Sequence, residues 1–154
     1  MILDASTALL MTHSALRWAA LILLIWILVL AFRGMRGNLP YTKSQHARSL
    51  NTMIVLHLQL LVGLFVYMMR GWIGMLGQDG TMSNSFTRFF AVEHGFLMVL
   101  AIVMGTLGHV LSKRASDDAS KHKRQVIFYG LCLLLILIGI PWPFRPGFES
   151  VGWY

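Results

Sequence analysis

Cysteine is nearly absent: Cys132 stands alone among 154 residues. A single thiol excludes a disulfide within the chain, a thiolate cluster and a c-type haem attachment pair. Set inside an apolar run, it reads as a small packing residue. Acidic residues are scarce too, with six Asp and Glu against 13 Lys and Arg. There is no carboxylate pair of hydrolytic type, no Ser/His/Asp arrangement, no His-Glu-x-x-His and no phosphate loop. Charged residues make up only 12% of the chain and hydrophobic ones 56%. That is too apolar for a soluble domain and leaves little mass outside a membrane, so one membrane domain over 1–154 is expected. Apolar/polar alternation is missing, which removes a β-barrel. No internal repeat or low-complexity segment is evident.

What the chain does have is four long apolar runs, at 18–32, 53–69, 89–111 and 126–144. A bilayer core of about 30 Å takes roughly 20 helical residues to cross, and each run reaches that length with its flanks. Backbone groups in lipid must pair within their own segment, so the spans are helices. Helices are predicted at about 13–33, 46–70, 86–113 and 121–140, the last stopped by Pro141 and Pro143. Short connections make neighbours antiparallel, so an all-α, up-down-up-down four-helix transmembrane bundle is expected. The longest connection, 71–85, carries Trp72, Ile73 and Met75 for the interface, and the tail ends in Trp153-Tyr154, which suits an interfacial aromatic belt.

The net charge of +7 invites a nucleic-acid reading, but its placement argues against one. Arg33, Arg36, Lys43 and Arg48 lie between the first two runs, and Lys113, Arg114, Lys121, Lys123 and Arg124 between the last two. This is the positive-inside bias, which puts both basic connections in the cytoplasm and both termini outside. The basic loops then meet anionic headgroups. The first residues carry Asp4 and no basic cluster, so run 1 is expected to be retained as a helix.

Histidines supply the candidate chemistry. His13, His57, His94 and His109 lie in or beside the runs, and an ionisable group in lipid is costly enough to suggest a task. Membrane histidines on several helices can hold a metal or haem. At 100° per residue, Met98, Ala101, Gly105 and Gly108 fall within roughly 40° of His94, and His109 about 60° from it. This small-residue stripe serves either close helix packing or a flat cofactor. His13 and Arg17 share a face of the first helix. A histidine ligand beside an arginine suits haem, whose propionates seek cations; the plainer reading is an interfacial anchor. His57 lies about 160° from Gln59, so only one of the two faces the bundle. Depth makes His13 with His94 the best axial pair for an outer haem. His57 with His109 is a less well matched inner pair, and His57 with His94 needs a tilted helix. Glu93 adjoins His94 and is expected to pair with Arg17, Arg70 or Arg88, or to relay a proton. His46 and His122, in the basic loops, are expected to be ordinary solvated residues.

Several segments together resemble a family of small bacterial four-helix membrane proteins catalogued as cytochrome b-like. They are His13-Ser14-Ala15-Leu16-Arg17-Trp18, His57-Leu58-Gln59-Leu60-Leu61-Val62-Gly63-Leu64 and Arg88-Phe89-Phe90-Ala91-Val92-Glu93-His94. Lys121-His122-Lys123-Arg124 with Phe128-Tyr129, and Ile140-Pro141-Trp142-Pro143-Phe144-Arg145, complete the set. They touch all four helices. The resemblance implies a multi-pass protein of the bacterial inner membrane and supports His13, His57 and His94, with Arg17 and Glu93 beside them. The resemblance is less secure at His109, which stands 15 residues from His94.

The leading function is electron transfer between a quinol and a partner protein or small oxidant, through one haem b, or two, held by histidines. A quinol-linked oxidoreductase and a homo-oligomer fall within this reading. The competing readings are a non-redox structural or assembly subunit of a membrane complex, and a histidine-based site for Cu or Zn.

Overall fold

The computed structural model describes residues 4–152, so Trp153 and Tyr154 of the expected aromatic belt lie outside the described residues. Regular structure within that range is helical throughout: α1 (Ala5–Arg36), α2 (Lys43–Met69), α3 (Trp72–Met75), α4 (Ser85–Arg88), a π-helical turn (Phe89–Glu93), α5 (His94–Lys113) and α6 (Asp118–Gly139). The segment Ser85–Lys113 is one unbroken rod. With α1, α2 and α6 it makes four helices long and apolar enough to cross a membrane. All four expected spans are therefore present.

Caps explain where the ends differ from expectation. The first helix starts at Ala5, well before His13, because Asp4 is a strong N-cap. Its Oδ1 accepts from Thr7 N and Ser6 Oγ, each at 2.8 Å, and these bonds hold its carboxyl below the usual range. His13 thus sits about two turns inside α1 instead of at its tip. Thr42 Oγ1 caps α2 through Gln45 N at 3.2 Å, and Asp117 Oδ1 caps α6 through Ser120 N at 2.8 Å. The polar residues that follow each cap enter the helices. His46 lies in α2, half-buried, and His122 lies in α6, buried, so His122 is not the solvated residue expected. His122 is buried with Nε2 3.2 Å from Leu39 O, and the His46 ring packs on His109 with centroids 5.1 Å apart.

The helices close a ring in which α1 touches α2 and α6, and α5 touches α6 and α2. Leu24, Ala31, Leu56, Ala101, Tyr129 and Cys132 fill its centre. Large apolar side chains are equally prominent outside: Ile22 is 64% exposed and Phe96 63%. Such a belt is costly in water and ordinary in lipid.

Contacts along the bundle define three layers. The cavity end holds His13 and His94. A dry middle layer joins Gly105 to Leu56 and Cys132; a Cβ on Gly105 would lie 2.7 Å from Leu56 Cδ1. Beyond it, at the end with the basic connections, Ser49, His109, Tyr129, Gln45 and Gln125 form a buried polar layer. The small-residue stripe is therefore divided. Ala101, Gly105 and Gly108 serve helix packing, while Met98 reaches the cavity.

Candidate functional site

A cavity of about 770 Å³ opens among α1, α2, α5 and the start of the tail after α6, within the size range of small-molecule and cofactor sites. Its wall is mostly apolar, and His13, Arg17, Gln59, Tyr67, Arg70 and His94 are the larger polar side chains on it.

His94 is placed by the π-turn. The bond from His94 N to Phe89 O spans five residues instead of four, and Tyr67 Oη donates to the neighbouring Ala91 O at 2.8 Å. Single π-turns recur at functional sites. The same turn explains an ion pair that a straight α-helix would not allow. Residues five apart diverge by about 140° on an α-helix, yet Arg88 Nε donates to Glu93 Oε1 at 2.6 Å. Glu93 is thereby committed to Arg88 at the surface, as the expected ion pair, and does not line the cavity.

The tautomer of His94 follows from its partner. Its Nδ1 lies 2.7 Å from Gly139 O, and a carbonyl only accepts. Nδ1 therefore carries the proton, and Nε2 presents a lone pair with no hydrogen-bond partner among the described residues. A backbone carbonyl on the far nitrogen is the usual way a ligating histidine is oriented.

His13 faces it from α1, with ring centroids 6.3 Å apart and planes at 77°. Its Nδ1 is buried without a hydrogen-bond partner, as is Gln59 Oε1. Gln59 Nε2 donates to His13 O at 2.9 Å and stands 3.5 Å from His13 Nε2, too far for a firm bond. Gly63 makes room for this ring, since a Cβ there would lie 2.7 Å from His13 Cε1. Buried polar atoms are normally paired, so His13 and Gln59 retain unspent bonding capacity at the cavity.

Arg17 lines the same cavity, one turn from His13, and its guanidinium also packs over the Trp18 ring at 5.3 Å. Its charge acts on both His13 and His94. The structure thus brings His13, Arg17 and His94 together. It does not bring His57 there. Gln59 takes the inner face of α2, and His57 is turned outward, exposed, with Nδ1 donating to Met53 O at 2.8 Å. His109 is buried in the polar layer, where Nδ1 lies 2.9 Å from Ser49 Oγ and its ring meets His46. The expected inner pair of His57 and His109 is accordingly split between an outward face and the packed interior.

Arg70, Tyr67 and the π-turn were not expected at the site. Arg70 had a visible signal, a cation at the end of an apolar run on the same level as His13. The π-turn had none, because Phe89 to Glu93 reads as ordinary helix.

No protein-family model, curated protein or solved structure matches this chain. Function is therefore read from the cavity's own residues, which include ones that could hold a haem. His13 and His94 face one another across the cavity with ring centroids 6.3 Å apart and could together hold a metal centre. Arg17 and Arg70 supply cations for carboxylates.

Proposed function

We propose that the chain is a membrane b-type cytochrome of the kind its motifs resemble, holding one haem b between His13 and His94. The observation that carries this reading is the facing histidine pair, one with Nε2 free and the other with a buried, unpartnered nitrogen, in a largely apolar cavity. Haem brings four ring nitrogens and asks the protein only for axial ligands. A bare zinc ion asks for three or four protein ligands. Among the described residues no group of three or more His, Cys, Asp or Glu is placed to hold one, which favours haem over the Cu or Zn reading.

The residue roles follow. His94, fixed by Gly139 O, and His13, seated on Gly63, would hold the haem iron. Arg17 and Arg70 neutralise propionates. The apolar walls exclude water and tune the potential. When bound, haem supplies a one-electron couple. Quinol is the donor that suits a chain with so little mass outside the bilayer, and a partner protein, a second copy or a small oxidant is the acceptor. With both basic connections cytoplasmic, the bundle runs up-down-up-down in the bacterial inner membrane with its termini and haem site on the outer side.

Purified protein made with ample haem should be coloured and show a b-type reduced-minus-oxidised spectrum, with one haem per chain by pyridine assay. His94→Ala and His13→Ala should each lose most of that haem. His57→Ala and His109→Ala should retain it. A colourless wild-type protein, or normal haem in both His13→Ala and His94→Ala, would overturn the proposal.

A further inference from the structure

The other end of the bundle, where the basic connections lie, holds a second and more open cavity of about 420 Å³. It is built by Tyr41, Thr42, Lys43, His46, Lys113 and Lys121. Its cations come from three helices: Lys43 opens α2, Lys113 closes α5 and Lys121 stands in the first turn of α6. One carboxylate offsets them. Asp118 Oδ1 accepts from Lys121 Nζ at 2.9 Å, and that amine lies 5.6 Å from the centre of the Tyr41 ring. Lys43 and Lys113 are exposed and have no ion-pair partner among the described residues. The Tyr41 and His46 rings give the cavity flat walls and are themselves held from behind. Tyr41 Oη accepts from Gln125 Nε2 at 2.9 Å, and His46 leans on His109.

We infer that this cavity binds a phosphate group, that of an anionic phospholipid headgroup at the membrane surface. Three ammonium groups against one carboxylate leave a net positive site. Lysine is a common point-charge partner of phosphate, and the N-terminal dipole of α2 adds to the field. Basic pockets between membrane helices are natural headgroup sites. Leu39 and Leu50, large apolar side chains exposed near this cavity in sequence, give the lipid's glycerol and upper acyl chains somewhere to lie. A free phosphate ion offers the same charge without that apolar part. The site is independent of the histidine cavity, from which the dry middle layer separates it.

The test titrates purified protein in neutral-detergent micelles with phosphatidylglycerol and, separately, with sodium phosphate, reading affinity from the thermal shift. Lys43→Gln and Lys113→Gln should each weaken phosphatidylglycerol binding about tenfold, the size of one lost charge-assisted hydrogen bond. Lys123→Gln, an exposed cation outside the cavity, should change it by less than about twofold. All three positions are exposed, so the variants should fold, as far-UV circular dichroism will verify. If sodium phosphate binds as tightly and the same two substitutions abolish it, the phosphate site stands with free phosphate as its source. The proposal is overturned if Lys123→Gln costs as much as Lys43→Gln, which marks diffuse attraction, or if the Lys43→Gln/Lys113→Gln double variant binds both ligands as the wild type does.

Discussion

Ser49 is a small residue that satisfies two larger ones. Its Oγ lies 2.9 Å from His109 Nδ1 and 2.8 Å from Tyr129 Oη, and its carbonyl accepts from Tyr129 Oη at 3.0 Å. All three residues are buried. Ser49→Ala would leave the imidazole nitrogen bare, and an unpaired buried polar group costs ~1–3 kcal/mol. A lower Tm with haem content unchanged is expected, since this layer does not touch the cavity. Tyr41 gives a prediction of different sign. Burial raises its phenol above the ordinary value, against the smaller opposing effects of its hydrogen bonds and Lys121. A raised acid is most stabilising while neutral, so its contribution is complete below pH ~10 and drains away as pH climbs through the raised value. Tyr41→Phe, which loses the bond from Gln125, should be less stable than wild type at pH 7 to 9. The two should converge above pH ~10 in a series of Tm measurements against pH. At this scale the sequence was a mixed guide. His13, Arg17 and His94 could be found because charge in an apolar run is conspicuous. The choice between His57 and Gln59 could not, because their angular separation says that one faces inward without saying which.

Among the elements, the π-turn matters most for the site and was the least visible. Helix propensity does not distinguish a four-residue from a five-residue ring over Phe89 to Glu93. What sustains the wider turn is tertiary: Tyr67 Oη on Ala91 O from α2, and the Arg88–Glu93 pair that the turn itself brings into register. Tyr67→Phe should loosen it, with a stability loss of ~1 kcal/mol and a broadened or weakened haem spectrum as His94 loses its fixed bearing. An unchanged spectrum would show that the Gly139 carbonyl alone suffices to orient the ring. Helix starts were misjudged for a related reason. The apolar runs mark where lipid begins, whereas Asp4, Thr42 and Asp117 mark where helix begins, and the two differ by about three and a half turns at α1. His122, expected to be solvated, is buried by packing against Gly34 of α1 and the Leu39 carbonyl.

For the whole molecule, the four spans were legible because lipid demands long apolar helices and tolerates little else. Their sidedness rests on charge alone, so it needs a direct test. Single cysteines placed at Ser44 and Ser116, in a Cys132→Ser background, should be labelled by an impermeant thiol reagent only from the cytoplasmic side. One at Ser83 should be labelled only from outside. Cytoplasmic labelling of Ser83 would invert the bundle and move the proposed haem site with it. The dry middle layer of Leu24, Leu56, Ala101 and Cys132, all essentially unexposed, has a consequence under either orientation. It is an insulator. Those four side chains offer no strong hydrogen-bonding group for relaying a proton from the histidine cavity toward the basic end. Most of a transmembrane voltage would fall across this slab, where each charge carried through would be worth ~2.3 kcal/mol per 100 mV. If the histidine cavity exchanges electrons as proposed, charge displaced there would stay on its own side of this apolar layer.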